Sequence, residues 1–199
     1  MENLIDKELV KELMSSKEGV RGFSTKGNFD YIFAKKGKRG LELLEKELGE
    51  LGCDVKYKDL VPMKFYPFGL ETVVLLAIHK VFNFDKEEFK KIGVFSSKVS
   101  LAVRLFMKYF VSLESVEKHV QAMWDKYYTC GEISISSIDK KAKQMTIILK
   151  DFKTHPFHCA VLEGYFANVL KIITKNEINV KETKCIFNGD EVHEFLLKW

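Results

Sequence analysis

The fold is decided by two stretches near the carboxyl end of the chain, HPFHCAVLEGYF at 155–166 and INVKETKCIFNGDEVHEFLLKW at 178–199. The first stretch predicts a helix, because proline suits the first turn of a helix and apolar residues follow at helical spacing. The second predicts a β-hairpin, because Asn188-Gly189 is a strong turn signal between two strand-like runs. Three of the five histidines and two of the four cysteines lie in these stretches.

A second hairpin precedes these stretches. Residues 132–138 and 144–149 alternate apolar and polar side chains on either side of a polar turn, which is typical of half-buried strands. Further upstream, apolar residues recur at helical spacing, with Asn28 as a predicted helix cap and Gly93 as a predicted hinge. The pattern indicates an α+β fold. We expect the helical amino-terminal two-thirds to pack on a four-stranded antiparallel sheet made of two hairpins with an intervening helix.

The length and composition predict one domain. The chain has 199 residues, of which 46% are hydrophobic, and this is enough to bury one full core. We therefore assign residues 1–199 to a single ligand-binding domain, with residues 1–18 as a helical extension at its amino end.

The composition also argues against several functions. The net charge is only +4, and only three of the 32 basic residues are arginine, whereas nucleic-acid recognition needs clustered basic residues and favours arginine. No apolar run reaches the ~20 residues of a membrane span. The charged start MENLIDK does not resemble a secretory signal. We expect a cytoplasmic protein with no nucleic-acid partner and no membrane span, in which cysteines are thiols or metal ligands.

The register of the last hairpin decides whether two candidate ligands meet. If the loop is centred on Gly189, Cys185 lies directly across from His193 on one face of the sheet. If Asn188-Gly189 is a two-residue turn, Cys185 pairs with Val192 and the histidine points the other way.

The first register is favoured by the apolar face of the last strand, which carries His193, Phe195, Leu197 and Trp199. On the preceding strand, Ile178 and Val180 have the opposite parity from Cys185. A β-bulge between Glu182 and Cys185 would remove this mismatch and re-aim the side chains, so we predict a bulge there.

Soft and borderline metal ligands are expected to meet at this hairpin. Cys159 lies near the start of the predicted helix and can pack onto the sheet face that carries Cys185 and His193. With His158, or His155, as a fourth ligand, the set suits zinc. The alternative is a seam of buried thiols, because free cysteines are common core residues and no Cys-x-x-Cys pair is present.

Residues 130–199 resemble the closing motif of the 4-vinyl-reductase domain. That motif has a helix with cysteine near its start and glycine five residues later, then a strand with Glu-x-x-Cys, then x-x-x-Gly-x-x-x-Cys in the hairpin. In this chain it falls on Cys159, Gly164, Glu182, Cys185 and Gly189. His193 stands where the family has its last cysteine, which weakens a thiol-redox role more than a metal role.

The 4-vinyl-reductase domain belongs to a superfamily with the TRAPP vesicle-tethering subunits and the haem nitric-oxide-binding domains. The resemblance implies a sensory or ligand-binding fold, often a homodimer, with a hydrophobic cavity between helices and sheet. It implies apolar ligands: acyl chains such as a lipid or fatty acid, tetrapyrroles such as haem, or aromatic effectors. It does not imply reductase activity.

The predicted function is therefore a sensory or regulatory domain that holds an apolar small molecule in a hydrophobic pocket. We expect the helices at 68–82 and 97–110 and the sheet to enclose it. By residue type, its lining is assigned to Phe65, Tyr66, Phe68, Phe106, Tyr109, Phe110, Trp124 and Phe166.

Three other functions compete with this one. A haem-binding gas sensor would need an axial ligand on an apolar helix, and His79 is the first candidate and His119 the second. The chain lacks the Tyr-x-Ser-x-Arg pattern with which the haem nitric-oxide-binding family holds haem propionates. A dimeric interaction scaffold of the TRAPP-subunit type is the second. An enzyme is the third: Cys159 and His155 are four residues apart on one helix, but no oxyanion donor or orienting acid accompanies them, so we predict no catalysis.

Overall fold

The computed structural model describes residues 4–99 and 112–199, which form an α+β fold. The helices are α1 (Lys7–Met14), α2 (Gly22–Glu50), α3 (Gly69–Phe82), α4 (Lys86–Val99), α5 (Leu113–Trp124) and α6 (Pro156–Thr174). The strands are β1 (Gly19–Arg21), β2 (Phe65–Pro67), β3 (Glu132–Asp139), β4 (Gln144–Lys150), β5 (Asn179–Lys184) and β6 (His193–Lys198). Within the two described ranges, no helix has both the length and the apolar character that a membrane crossing requires.

The main sheet confirms the predicted pair of hairpins with a helix between them. Its strand order is β3-β4-β6-β5, and all neighbouring strands are antiparallel. Buried apolar side chains alternate with more exposed ones along β3, β4 and β6, as expected for a sheet with one buried face. Helix α6 covers that face, and Phe166 of α6 meets Phe195 of β6 edge to face, with ring centroids 5.2 Å apart.

The amino-terminal helices form a second core around α3. The predicted amino-terminal extension contributes Ile5 and Val10 to this core. The expected cap at Asn28 was wrong, because α2 begins at Gly22 and Asn28 lies buried inside it. The break in α2 falls at Gly37, whose φ of 67° and ψ of −167° are not helical, and glycine adopts such angles without a steric penalty.

Gly93 is not a hinge, because α4 continues through it. It marks instead a close approach of α4 to α6. A Cβ atom at Gly93 would overlap the carbonyl oxygen of Val161, and one at Gly164 would overlap the carbonyl oxygen of Lys90. Beside this contact, the buried carboxylate of Glu163 pairs with Nζ of Lys90 at 2.9 Å.

The last hairpin contains the predicted β-bulge. Glu182 pairs with Phe195, whereas Lys184 pairs with Glu194, so β5 has one more residue than β6 between these two pairs. The extra residue changes which side chains of β5 face the core.

The bulge also establishes the predicted register at the end of the hairpin. The last pair beyond the bulge joins Lys184 to Glu194. The next pair in the same register would place Cys185 opposite His193. A 3₁₀ turn at Ile186–Asn188 and then Gly189, with φ 95°, form the loop. The loop is therefore centred near Gly189 and is not a two-residue turn.

Candidate functional site

The first part of the candidate site lies at the start of α6. Nδ1 of His155 caps this helix by accepting a hydrogen bond from the backbone N–H of Phe157 at 3.2 Å. Pro156 occupies the first helical position, where the N–H that proline lacks has no helical partner. This start places Cys159 four residues after the cap, and its side chain is buried.

The second part lies on the last hairpin. Glu182 precedes the bulge, Cys185 follows it, and His193 is the first residue of β6. The backbone N–H of Cys185 donates to Oδ2 of Asp190 at 2.8 Å, which holds the end of the hairpin in place. Together with Cys159, these residues form a cluster of four side chains, which we call the ligand cluster.

The ligand cluster has the dimensions of a metal site. One potential ligand atom from each of the four residues lies within 4.8 Å of all the others. The two Sγ atoms are 4.0 Å apart, and Sγ of Cys159 is 3.7 Å from Nδ1 of His193. Two ligands of a tetrahedral zinc ion, each ~2.0–2.3 Å from the metal, lie ~3.3–3.8 Å apart. Small shifts would therefore seat one ion among these atoms.

The contact between His193 and Glu182 needs a proton or a cation. Its Nε2 lies 3.1 Å from the carbonyl oxygen of Phe152, and because a carbonyl only accepts, Nε2 carries the proton. In the neutral ring Nδ1 then holds a lone pair. This Nδ1 lies 2.8 Å from Oε1 of Glu182, so two acceptor atoms face each other unless a proton or a cation lies between them.

The two cysteines of the ligand cluster are thiols when nothing positive is nearby. Burial, with the charge of Glu182, raises the pKa of Cys159 far above its ordinary value. Burial also raises the pKa of Cys185. A divalent cation reverses this balance, because a coordinating thiol is deprotonated outright.

Three of the four predicted metal ligands come together, and one does not. Cys159, Cys185 and His193 belong to the ligand cluster, whereas His158 points to another set of partners. Glu182 takes the fourth place instead. The signal that could have identified it is the Glu-x-x-Cys part of the resemblance, since the bulge turns this glutamate towards the cysteine three residues later.

An apolar cavity of about 100 Å³ lies between α5, α6 and the sheet. An engineered cavity of ~150 Å³ with a similar lining stays dry and binds benzene, so this one suits a single small ring. Aliphatic side chains supply much of the wall, among them Val116, Val120, Leu162, Val169, Leu170 and Leu197.

Two of the predicted pocket residues, Trp124 and Phe166, line this cavity. Phe68 packs just behind it, with its ring 5.8 Å from that of Tyr128 and 5.0 Å from that of Phe152.

The other predicted pocket residues lie elsewhere. Phe65 and Tyr66 belong to β2, which pairs with β1 in a separate two-stranded sheet, and the Arg21 guanidinium covers the Phe65 ring at 4.0 Å. Helix α3 does not line this cavity either, because its apolar side chains fill the amino-terminal core. Phe106, Tyr109 and Phe110, with most of the predicted helix at 97–110, lie outside the described residues.

A buried polar network adjoins the cavity at His158. Ser24 and Tyr128 donate hydrogen bonds to the carboxylate of Glu71 at 2.8 Å and 3.1 Å. Nε2 of His158 lies 3.3 Å from the hydroxyl of Tyr128 and 3.6 Å from Glu71. Burial raises the pKa of Tyr128 and lowers that of His158, so both are neutral. Sequence reasoning missed this network, because it joins residues far apart in the chain.

The predicted axial histidine for haem does not face this cavity. Nδ1 of His79 lies 2.8 Å from the carbonyl oxygen of Phe84, and its ring packs on Phe157 at 4.8 Å between centroids. Among the described residues, His158 is the histidine in the cavity wall.

Comparison with known proteins gives a match in structure but not in sequence. Neither a protein-family model nor a curated protein matches the chain significantly. An H-NOX protein from S. oneidensis in the Fe(II)NO ligation state has a TM-score of 0.67 at 15% identity, over 89% of this chain and 98% of that one. The Fe(II) unliganded H-NOX protein from K. algicida has a TM-score of 0.63 at 15% identity, over 89% and 95%. An H-NOX domain from Shewanella oneidensis in the Fe(II)CO state has 0.66 at 17%, over 89% and 97%.

At such identities the likeness concerns the fold alone, because one fold carries many functions. The narrower 4-vinyl-reductase and TRAPP naming receives no support from these structures and stays a prediction. The predicted resemblance to haem nitric-oxide-binding domains is confirmed at the level of architecture: the chain has the fold of H-NOX proteins.

Proposed function

We propose that this chain is a sensory or regulatory domain that holds an apolar small molecule between α5, α6 and the sheet. The apolar cavity carries the proposal. Protein interiors are close-packed, and an empty apolar void costs stability that a bound molecule recovers. The function is binding, without a catalytic step.

We also propose that zinc occupies the ligand cluster. Two thiolates, one imidazole and one carboxylate form a four-ligand set in which each group is of a type that binds zinc in proteins. Such an ion would tie the last hairpin to the start of α6, the helix that also forms one wall of the cavity. Its role would be to fix that wall, with no part in a reaction.

The test of the binding function uses the purified full-length chain. Native mass spectrometry would show a co-purified organic molecule, and isothermal titration calorimetry would follow binding of benzene to chain from which that molecule was removed. We expect one benzene per chain with a negative heat-capacity change, since apolar surface is buried on binding. No co-purified molecule and no benzene binding would overturn the proposal.

A haem-binding gas sensor is the second candidate. The observation in its favour is the fold, since similar solved structures include H-NOX proteins in Fe(II) ligation states. The described residues do not fit a haem as they stand. A cavity of about 100 Å³ is far below the ~300–1,000 Å³ of ordinary ligand pockets, and His79 is bonded to Phe84 outside the cavity wall.

An absorption spectrum separates these two candidates. A haem sensor gives a Soret band at one haem per chain after purification or after titration with hemin. The apolar-ligand function predicts no stoichiometric band, together with benzene binding. If a stoichiometric band appears, the gas sensor replaces the first proposal.

A dimeric scaffold stays the third possibility, and a homodimer is also compatible with the binding function. Sedimentation of the chain with and without its ligand tests the association. A dimer that forms equally well in both states, in a chain that binds no benzene, would favour the scaffold.

A further inference from the structure

His158 is an unusual member of a largely apolar wall. It lies in the lining of the cavity and its side chain is 1% exposed. Its Nδ1 has no hydrogen-bond partner in the described part of the chain. A buried polar atom without a partner costs ~1–3 kcal/mol, so such an atom calls for an explanation.

The neighbouring hydrogen bonds determine which nitrogen of His158 carries the proton. The single proton of the Tyr128 hydroxyl goes to the carboxylate of Glu71, at 3.1 Å. The Tyr128 oxygen can then only accept from Nε2 of His158, at 3.3 Å. Nε2 is therefore the N–H of a neutral ring, and Nδ1 is left with a lone pair that needs a donor.

Neither of the other polar side chains in this network supplies that donor. Ser24 gives its proton to Oε1 of Glu71, at 2.8 Å. The carboxylate of Glu71 only accepts. Tyr127 and Tyr165 also line the cavity, and the hydroxyl of Tyr165 donates to that of Tyr127 at 3.2 Å. The donor for Nδ1 would then come from a molecule inside the cavity.

We propose that the ligand of this cavity is a single-ring, otherwise apolar molecule with one hydrogen-bond donor, and that Nδ1 of His158 accepts that bond. This rests on the binding function proposed above and adds the chemistry of the ligand. The volume of about 100 Å³ limits the ring size. The lone pair of His158 selects a hydroxyl or N–H group over a methyl group of the same shape.

Aniline and toluene are matched probes, because an amino group replaces a methyl group on the same ring. Calorimetry would measure both on the wild-type chain, on His158→Leu, and on the control His79→Leu, whose histidine is outside the cavity wall. We expect His158→Leu to weaken aniline about tenfold, the equivalent of ~1.4 kcal/mol, and toluene less than about twofold. The control keeps the wild-type ratio of the two affinities.

A second measurement serves if His158→Leu does not fold. In the wild-type chain, the ¹⁵N resonance of Nδ1 of His158 should shift when aniline binds and stay in place when toluene binds. If toluene binds but His158→Leu affects both probes equally, or if aniline leaves the Nδ1 resonance unchanged, the donor proposal is wrong and the binding function survives. If neither ring binds, the binding function fails with it.

Discussion

Nδ1 of His193 lies 2.8 Å from Oε1 of Glu182, while Nε2 of the same ring donates to the carbonyl oxygen of Phe152 at 3.1 Å. Two facing lone pairs repel unless a positive charge separates them. Two buried thiols complete the surroundings. A proton on Nδ1 or a bound cation would satisfy this pair, and the proposed zinc site is the second of these.

The first prediction concerns the carboxylate of the ligand cluster. The wild-type chain should bind one zinc ion, and Glu182→Gln should lower the affinity by more than the ~10–100-fold typical of an outer-shell partner, because it removes a direct ligand. Competition with a chromophoric chelator measures the number of zinc ions bound and the zinc affinity of each chain. Glu194→Gln is the matched control on β6, since Glu194 bonds Thr183 and Lys184 instead. Equal affinities in all three chains would show that Glu182 is not a ligand.

The second prediction uses the position at which this chain departs from the resembling family. His193→Cys should still bind one zinc ion, because a thiolate is an equally good zinc ligand. His193→Ala should lose the ion and also stability, since metal binding contributes to folding. Zinc content and thermal unfolding with and without a chelator would measure the two effects. A chelator that leaves the wild-type midpoint unchanged would contradict the proposed role of the ion.

The third prediction is that the cavity can be filled from within. Val169 of α6 lines it, and Val169→Phe places a ring inside the space proposed for the ligand. We expect benzene binding to disappear. The free energy of unfolding should change by less than the ~1–3 kcal/mol that added volume usually costs in a well-packed core, because the new ring enters an existing cavity. Lys171→Phe is the control, because Lys171 is exposed on the same helix. Unchanged benzene binding in Val169→Phe would place the ligand elsewhere.

The fourth prediction concerns the cap of α6. Burial lowers the pKa of His155 from 6.5 to about 4. The unfolded chain therefore takes up this proton first as the pH falls. Stability from this group is complete above about pH 6.5 and declines as the pH falls to about 4.

His155→Asn isolates this contribution, because asparagine caps a helix without titrating. Chemical unfolding between pH 4 and 7 should show a smaller pH dependence in the variant. The pH slopes of the unfolding free energy in the two chains should differ by at most ~1.4 kcal/mol per pH unit. The difference should be smaller than this limit because His155 is partly exposed to solvent. Other histidines contribute equally to both chains, so identical slopes would rule out a titrating cap.

The fifth prediction concerns the close approach of α4 and α6. Gly164→Ala should destabilise the chain by at least ~1–3 kcal/mol, because the added methyl group meets the backbone of Lys90. Gly49→Ala is the control in α2, where the new Cβ atom would meet only Asp54 at 3.5 Å, an ordinary contact. The control should be neutral or more stable, because alanine favours helix over glycine. Equal effects in the two variants would exclude steric overlap at Gly164.

Local patterns predicted much of the fold. The proline after His155 and the Asn188-Gly189 turn identified the last helix and hairpin. The change of parity between Val180 and Cys185 predicted a bulge that the pairing confirms. Gly93 was misjudged, because a glycine inside a helix looks the same in sequence whether it bends the helix or admits another backbone.

The candidate site was less predictable. Cys159, Cys185 and His193 were chosen as metal ligands by type, whereas Glu182 was not among them and joins the cluster only through the folded hairpin with its bulge. The cavity depends on packing between α5, α6 and the sheet, which no local pattern encodes. The partners of His158, Glu71 and Tyr128, are far from it in sequence and could be identified only in the folded chain.

The two glycine contacts between α4 and α6 have a mechanical consequence. The backbones of α4 and α6 are in direct contact at Gly93 and Gly164, and the ion pair between Glu163 and Lys90, at 2.9 Å, links the two helices there. A shift of one helix along or around the other would bring backbone atoms into collision. The two helices would therefore move together as one rigid unit. Because α6 is held in this way, a motion that admits a guest molecule would have to displace α5 or the sheet.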